Sequence, residues 1–277
     1  MIILHNTIHL RAEAAELSCY KNRKKYNVSD ETIKRYMDKF NIPYNKKPIC
    51  TNDEDFFTRE NEATFYVAGF LAADGCVSIE KGSYRLSLLL GQKDIDHLYL
   101  LRNLMKADNK ISKRTSKNPH PDNKWNDSLV CNFKINSKKY FDDLSKFNIV
   151  PRKSLILEFP EWLIEHPLAN HFMRGYNDGD GSWSVANNQI KFHLRGTKNF
   201  LLTFRNILER ECSNIKKRTT EISIHDGCGQ LSYGGNIIAK SISNFLYKDA
   251  TIFLPRKREI IKHLLNDENN LNMENKI

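Results

Sequence analysis

The chain has 277 residues, 40% hydrophobic and 27% charged, a globular composition that excludes wholesale disorder, collagen and small disulfide scaffolds. Its longest apolar stretch, Phe65 to Ala73, is too short to span a bilayer, so no membrane span is expected. Lys plus Arg is 43 against 33 Asp plus Glu, a net charge of +10 that favours a polyanionic partner such as nucleic acid.

The excess charge is uneven. Between Lys106 and Lys153 twelve basic residues stand against five acidic ones, which accounts for most of it. Such a window suits an ordinary solvated surface as well as nucleic acid, and charge alone does not choose. The six cysteines, Cys19, Cys50, Cys76, Cys131, Cys212 and Cys228, form no C-x-x-C pair. That argues against a zinc site and for a reducing, intracellular setting, the cytoplasm of a bacterial or phage-infected cell or an organelle. The first twenty residues have neither a cationic start nor a small-residue cleavage site, so no signal peptide is expected.

Taken in chain order, residues 1–44 read as a small helical unit. Ser29 is a good N-cap, Asp30 and Glu31 follow, and Ile33, Met37 and Phe40 fall on one face before Asn41-Ile42-Pro43 stops the helix. Thr32, Lys34, Arg35 and Lys39 occupy the other face, behind a short basic helix over Cys19 to Tyr26 and a turn at Asn27-Val28. The layout is helix-turn-helix-like, with Asp30 to Phe40 as recognition helix and Lys34 and Arg35 as candidate DNA contacts; a plain helical hairpin is the alternative. Residues 45–62, with Pro48, Lys46-Lys47 and Asp53-Glu54-Asp55, read as a linker.

From Phe65 the chain repeats itself, which divides it into halves over 63–160 and 161–277. Val67-Ala68-Gly69-Phe70-Leu71-Ala72-Ala73-Asp74-Gly75 is echoed by Met173-Arg174-Gly175-Tyr176-Asn177-Asp178-Gly179-Asp180-Gly181. Each nonamer leads into alternating, strand-like sequence: Val77, Ile79, Leu86, Leu88 and Leu90 around Lys81-Gly82-Ser83, then Val185, Ile190, Phe192 and Leu194 around Asn187-Asn188. Gly91-Gln92-Lys93 and Gly196-Thr197-Lys198 follow the hairpins, and Pro151-Arg152-Lys153 is matched by Pro255-Arg256-Lys257. Each Pro-Arg-Lys reads either as a helix start or as cations for a DNA backbone.

A single Asp-Gly is an ordinary turn; its duplication in the same context is not so easily dismissed. Each apolar helix would end on a carboxylate at its negative pole. Gly69 and Ala73, like Gly175 and Gly179, lie four residues apart, giving each helix a small-residue stripe. Packing along those stripes would bring Asp74 and Asp180 side by side, a hard-oxygen pair suited to Mg²⁺ rather than zinc.

Both nonamers resemble the LAGLIDADG motif of homing endonucleases, in the form with two motifs in one chain, over Phe65 to His263. The resemblance implies an α+β fold of two pseudo-symmetric αββαββα repeats that build a saddle-shaped antiparallel β surface for DNA. It also implies a site-specific endonuclease acting as a monomer on a long asymmetric double-stranded target and cutting both strands. Asp74 and Asp180 would bind the essential Mg²⁺, for which Mn²⁺ can substitute, with the carbonyls of Ala73 and Gly179 as auxiliary ligands. Gln92 and Lys93 would polarise water and the scissile phosphate. Lys198 would be the second-half counterpart, with Thr197 in place of the amide, so that the half-sites are not equivalent. Two positions depart from the motif: Ala72 replaces its first acid, which Asp178 keeps and which we read as structural, and Arg174 stands at an apolar position, which bears on helix packing.

If the alternating leucines face inward, Arg85 and Ser87 face outward on the first hairpin, and Gln189, Lys191, His193 and Arg195 on the second. Their donors and acceptors suit base edges in the major groove, where a β-ribbon fits. A loop over Ser112 to Ser128, with Lys113, Arg114 and Lys117, is expected to contact phosphates. Two rival readings keep parts of this scheme: a maturase that binds its host intron RNA, and a transcriptional regulator that binds DNA without cutting. Retention of Asp74 and Asp180 with Lys93 favours cleavage.

Overall fold

The computed structural model describes residues 29–39, 50–80, 82–117, 128–225 and 227–266. The chain divides into two compact units, Met1–Thr51 and Asn52–Ile277. In the first, helix α1 (Asp30–Lys39) opens as its sequence demands. The Thr32 amide donates to Ser29 Oγ at 3.1 Å, an N-cap. Ile33 and Met37 are buried, one turn apart on one face, and Arg35 is exposed. Lys34 stands on the same helix. The expected basic helix over 19–26 and its turn lie outside the described residues.

The second unit is α+β. Helix α2 (Glu62–Asp74) is followed by β1 (Gly75–Glu80), β2 (Ser83–Gly91), α3 (Ile95–Leu104), β3 (Ser112–Ser116), β4 (Ser128–Asn136) and α4 (Lys138–Ser145). The series then recurs as α5 (Ala169–Asp180), β5 (Gly181–Ala186), β6 (Gln189–Gly196), α6 (Lys198–Glu211), β7 (Ser223–His225), β8 (Cys228–Gly234) and α7 (Asn236–Leu246), with α8 (Pro255–Asn266) added. Each half is thus αββαββα, and each sheet is antiparallel, in the order β1-β2-β4-β3 or β5-β6-β8-β7.

The hairpin register follows the hydrophobic alternation. Leu86, Leu88 and Leu90 are buried, as are Ile190, Phe192 and Leu194, while Ile79 and Val185 at the hairpin tips run out of core to cover them and are exposed. Asn187 and Asn188 both take positive φ, 53° and 56°, the pair that a two-residue type I′ turn requires.

Two expectations are corrected here. Residues 52–62 are not a free linker: Phe56 and Phe57 are buried, Tyr140 Oη donates to the Asp53 carbonyl at 2.7 Å, and Asp53 pairs with Arg59. Two adjacent phenylalanines beside a core outweigh the local polarity. Likewise Lys113 and Arg114 sit on β3, an edge strand paired with β4, rather than in a loop. All five β3 residues are exposed, which left no hydrophobic alternation to read. Lys117 follows the strand and is exposed.

Arg174 is wholly buried in α5 without breaking the packing. Its guanidinium donates to the carbonyls of Ile252 and Leu246 at 2.9 and 3.0 Å and pairs with Glu62 at 2.6 Å. Glu62 in turn accepts from the amides of Thr251 and Ile252. A buried cation is tolerated when its donors are satisfied in this way.

Candidate functional site

The two motif helices meet backbone to backbone. A Cβ added at Gly69 would lie 2.0 Å from the Phe172 carbonyl oxygen, and one at Gly175 would lie 2.1 Å from that of Tyr66. No larger residue fits either position, which is why glycine stands at both. Farther along, a Cβ at Gly179 would come within 2.3 Å of Ala73 Cβ and 3.5 Å of Asp74 Oδ2, so the helices stay in contact up to their last residues.

Those last residues are Asp74 and Asp180, each followed directly by the first strand of its sheet. Both open to solvent on one side. Protein packed on the other side, and the like charge of Asp180 next to it, push the Asp74 carboxyl up to about 6. Burial raises Asp180 as well, opposed by the charges of Lys153 and Lys257. Among the described residues neither carboxylate makes an ion pair, and no cluster of three or more His, Cys, Asp or Glu gathers there or elsewhere. The protein therefore offers two carboxylates, while the carbonyls of Ala73 and Gly179 beside them accept from Lys153 and Lys257. That open hard-oxygen set fits Mg²⁺, which is usually held by one or two carboxylates plus water and substrate phosphate.

The cations beside the pair come from the duplicated Pro-Arg-Lys. Lys153 Nζ donates to the Ala73 carbonyl at 2.9 Å, and Lys257 Nζ to the carbonyls of Asn177 and Gly179, both at 2.9 Å. Each ammonium caps the carbonyl end of one motif helix, where the dipole favours positive charge. They are 6% and 4% exposed, so they do not reach outward to a DNA backbone as the sequence suggested. Burial pulls Lys257 down to about 8 and lowers Lys153, against the pull of the aspartates. Arg256 is also engaged, in a bidentate pair with Asp94 at 2.7 and 3.0 Å. The duplication marked these residues in the sequence; which carbonyls they cap depends on contacts about 80 residues apart, which leave no local pattern.

The other candidates are placed as follows. Gln92 follows β2 and accepts from the Cys131 thiol at 3.3 Å, and Lys93 beside it is exposed. Lys198 opens α6, where Thr197 Oγ1 accepts the Phe200 amide, and its ammonium pairs with Glu221 at 3.1 Å. Arg85 pairs with Glu80, and Ser87 Oγ donates to the Cys76 carbonyl. On β6, Lys191 and Arg195 are exposed, His193 Nδ1 meets Ser232 Oγ at 2.8 Å, and Gln189 Oε1 accepts the Asn236 amide. Asp178 lies away from solvent, accepting from Tyr66 Oη at 2.7 Å, Tyr247 Oη at 3.3 Å and the Leu254 amide at 2.7 Å, and burial raises its carboxyl. It ties three segments together at the helix interface.

No protein-family model matches the chain, and no curated protein does. Among solved structures, the homing endonuclease I-WcaI bound to its DNA recognition sequence aligns with a TM-score of 0.55 at 11% identity, covering 75% of this chain and 91% of its own. The fold is that of the LAGLIDADG homing endonucleases. The I-LtrWI LAGLIDADG homing endonuclease bound to target DNA gives a TM-score of 0.48 at 12% identity over 75% of this chain and 91% of its own. Within the LAGLIDADG fold, the two nonamers of this chain are α2 with Gly75 and α5 with Gly181, and the motif acids occupy the ends of the central helix pair.

Proposed function

We propose that this chain is a site-specific endonuclease that cuts both strands of double-stranded DNA, with Mg²⁺ held by Asp74 and Asp180. The observation that carries the reading is the meeting of those two carboxylates at the ends of helices whose backbones touch. A protein that only binds DNA has no use for two carboxylates pressed together at an electrostatic cost. Likeness to the fold of I-WcaI, a homing endonuclease bound to its DNA recognition sequence, supports the same reading.

When bound, Mg²⁺ would lower the pKa of a water and stabilise charge on the reacting phosphate. The chain's own residues supply the rest. Asp74 and Asp180 would hold the ion, with the carbonyls of Ala73 and Gly179, which accept from Lys153 and Lys257, beside them. Lys153 and Lys257 fix the helix ends and offset the paired negative charge. Lys93 and Gln92 stand at the end of β2, where they can orient water and phosphate. The outward faces of the sheets, with Ser87, Lys191 and His193, would read base edges, and Arg114 and Lys117 would hold the backbone. Helix α1, with Lys34 and Arg35, would add a contact outside the core.

Incubation with a randomised duplex library and Mg²⁺, followed by sequencing of the new ends, tests the reading. We expect cutting at one extended sequence, and Asp74→Asn or Asp180→Asn should abolish double-strand cutting while target binding in Ca²⁺ persists within a few-fold. Undiminished cutting by either variant would remove these carboxylates from the site.

A further inference from the structure

The pairing of β1 with β2 runs Gly75 to Leu88, and that of β5 with β6 runs Gly181 to Leu194. One step further in each register, residue 89 comes level with Asp74 and residue 195 with Asp180. Strand alternation puts both on the outward side, since Leu88 and Leu194 face the core. The occupants differ in kind. The first half has Leu89, 43% exposed, and the second has Arg195, exposed and near enough that its charge acts on Asp180.

The Asp180 side therefore has a guanidinium at the position where the Asp74 side has a leucine.

Resting on the nuclease reading, we propose that Arg195 is a catalytic residue of one half-site only, so that the two DNA strands are cut in a fixed order, the one at Arg195 first. In each cut a water oxygen bonds to phosphorus and one P–O bond to a sugar breaks. The sugar oxygen leaves as a hydroxyl, taking one proton, and the other proton of the water goes to solvent. Negative charge gathers on the non-bridging oxygens in between, and a guanidinium donating to them stabilises that state more than the starting diester. Leu89 donates nothing. Arg195 thereby contacts the scissile phosphate rather than a base edge.

The test uses the full chain and a duplex recovered from the randomised library, end-labelled on each strand in turn, under single-turnover conditions with Mg²⁺. The expected result is a nicked intermediate, with strand rates differing at least tenfold. Arg195→Leu should slow the faster strand at least tenfold and leave the slower within about twofold; Leu89→Arg should speed the slower strand and narrow the gap. Both positions are exposed, and Arg195→Gln provides a second variant with a similar shape. Equal strand rates in the unmodified protein, or equal slowing of both strands by Arg195→Leu, would overturn this assignment and leave the nuclease reading standing. Absence of cutting by the unmodified protein in both Mg²⁺ and Mn²⁺ would overturn the nuclease reading and this inference with it.

Discussion

Asp74 shows how a site can cost a protein stability before it does any chemistry. Burial on one side and Asp180 alongside lift its carboxyl from an ordinary value near 3.8 to about 6. A raised pKa means the folded state holds the proton more tightly than the unfolded chain does. The associated stability is full below about pH 4 and is lost as pH rises through 6. Asp74→Asn makes the neutral form permanent. In metal-free buffer at pH 8 it should therefore stabilise the protein on the order of 1 kcal/mol, allowing for solvent on the open side. At pH 3.5, where the acid is already neutral in both states, it should change nothing. Thermal melts of both proteins across pH 3.5 to 8 check this, and an equal gain at both ends would mean the carboxylate is not under strain.

At the scale of elements, the helix pair decides whether the two carboxylates meet. Gly175→Ala would press a methyl carbon into the Tyr66 carbonyl, backbone against backbone, with no flexible side chain to give way. Separating the helices gives up packing along their whole length, so we expect a loss of about 3 kcal/mol. Gly82→Ala, at a hairpin turn with φ of 76° and open space around it, should cost only the left-handed strain, about 1 kcal/mol. Denaturant titration of both variants compares them, and equal losses would show that the helix contact is looser than the geometry says. The same contrast explains what the sequence made legible. The motif helices, the hairpins that follow them, the inward leucines and the asparagine turn follow rules local to a few residues, and these could be read from their spacing. The small-residue stripe was legible as well, because its period belongs to one helix. The partners of Arg174, Lys153, Lys257 and Arg256 were not, since each lies some 70 to 160 residues away and is chosen by the pseudo-symmetric fold. Strand β3 was hidden for the opposite reason: with both faces wet, it has no pattern to show.

At the scale of the whole molecule, each of the two units carries part of the positive charge. The halves of the 52–277 unit are locked together by Glu62 with Arg174, Asp94 with Arg256 and Tyr66 with Asp178, each joining one repeat to the other. Residues 1–51 lie in a distinct unit, yet they hold ten Lys or Arg against five Asp or Glu, half of the net charge of +10. A segment that forms a compact unit of its own and carries half of the net charge should contribute to DNA affinity and little to core stability. Deleting residues 1–51 should therefore leave the melting temperature of the core within a few degrees, shorten the protected DNA footprint and weaken binding. The slope of log affinity against log salt should fall by about 0.9 for each phosphate that the shortened protein no longer neutralises. Cutting by the truncated chain should persist at high protein concentration, because both motif aspartates, both capping lysines and Arg195 lie beyond residue 51. Footprinting and a salt series on the two proteins separate the possibilities. An unchanged footprint and slope would deny the amino-terminal unit a role on DNA, and a large fall in melting temperature would make it a packing element instead.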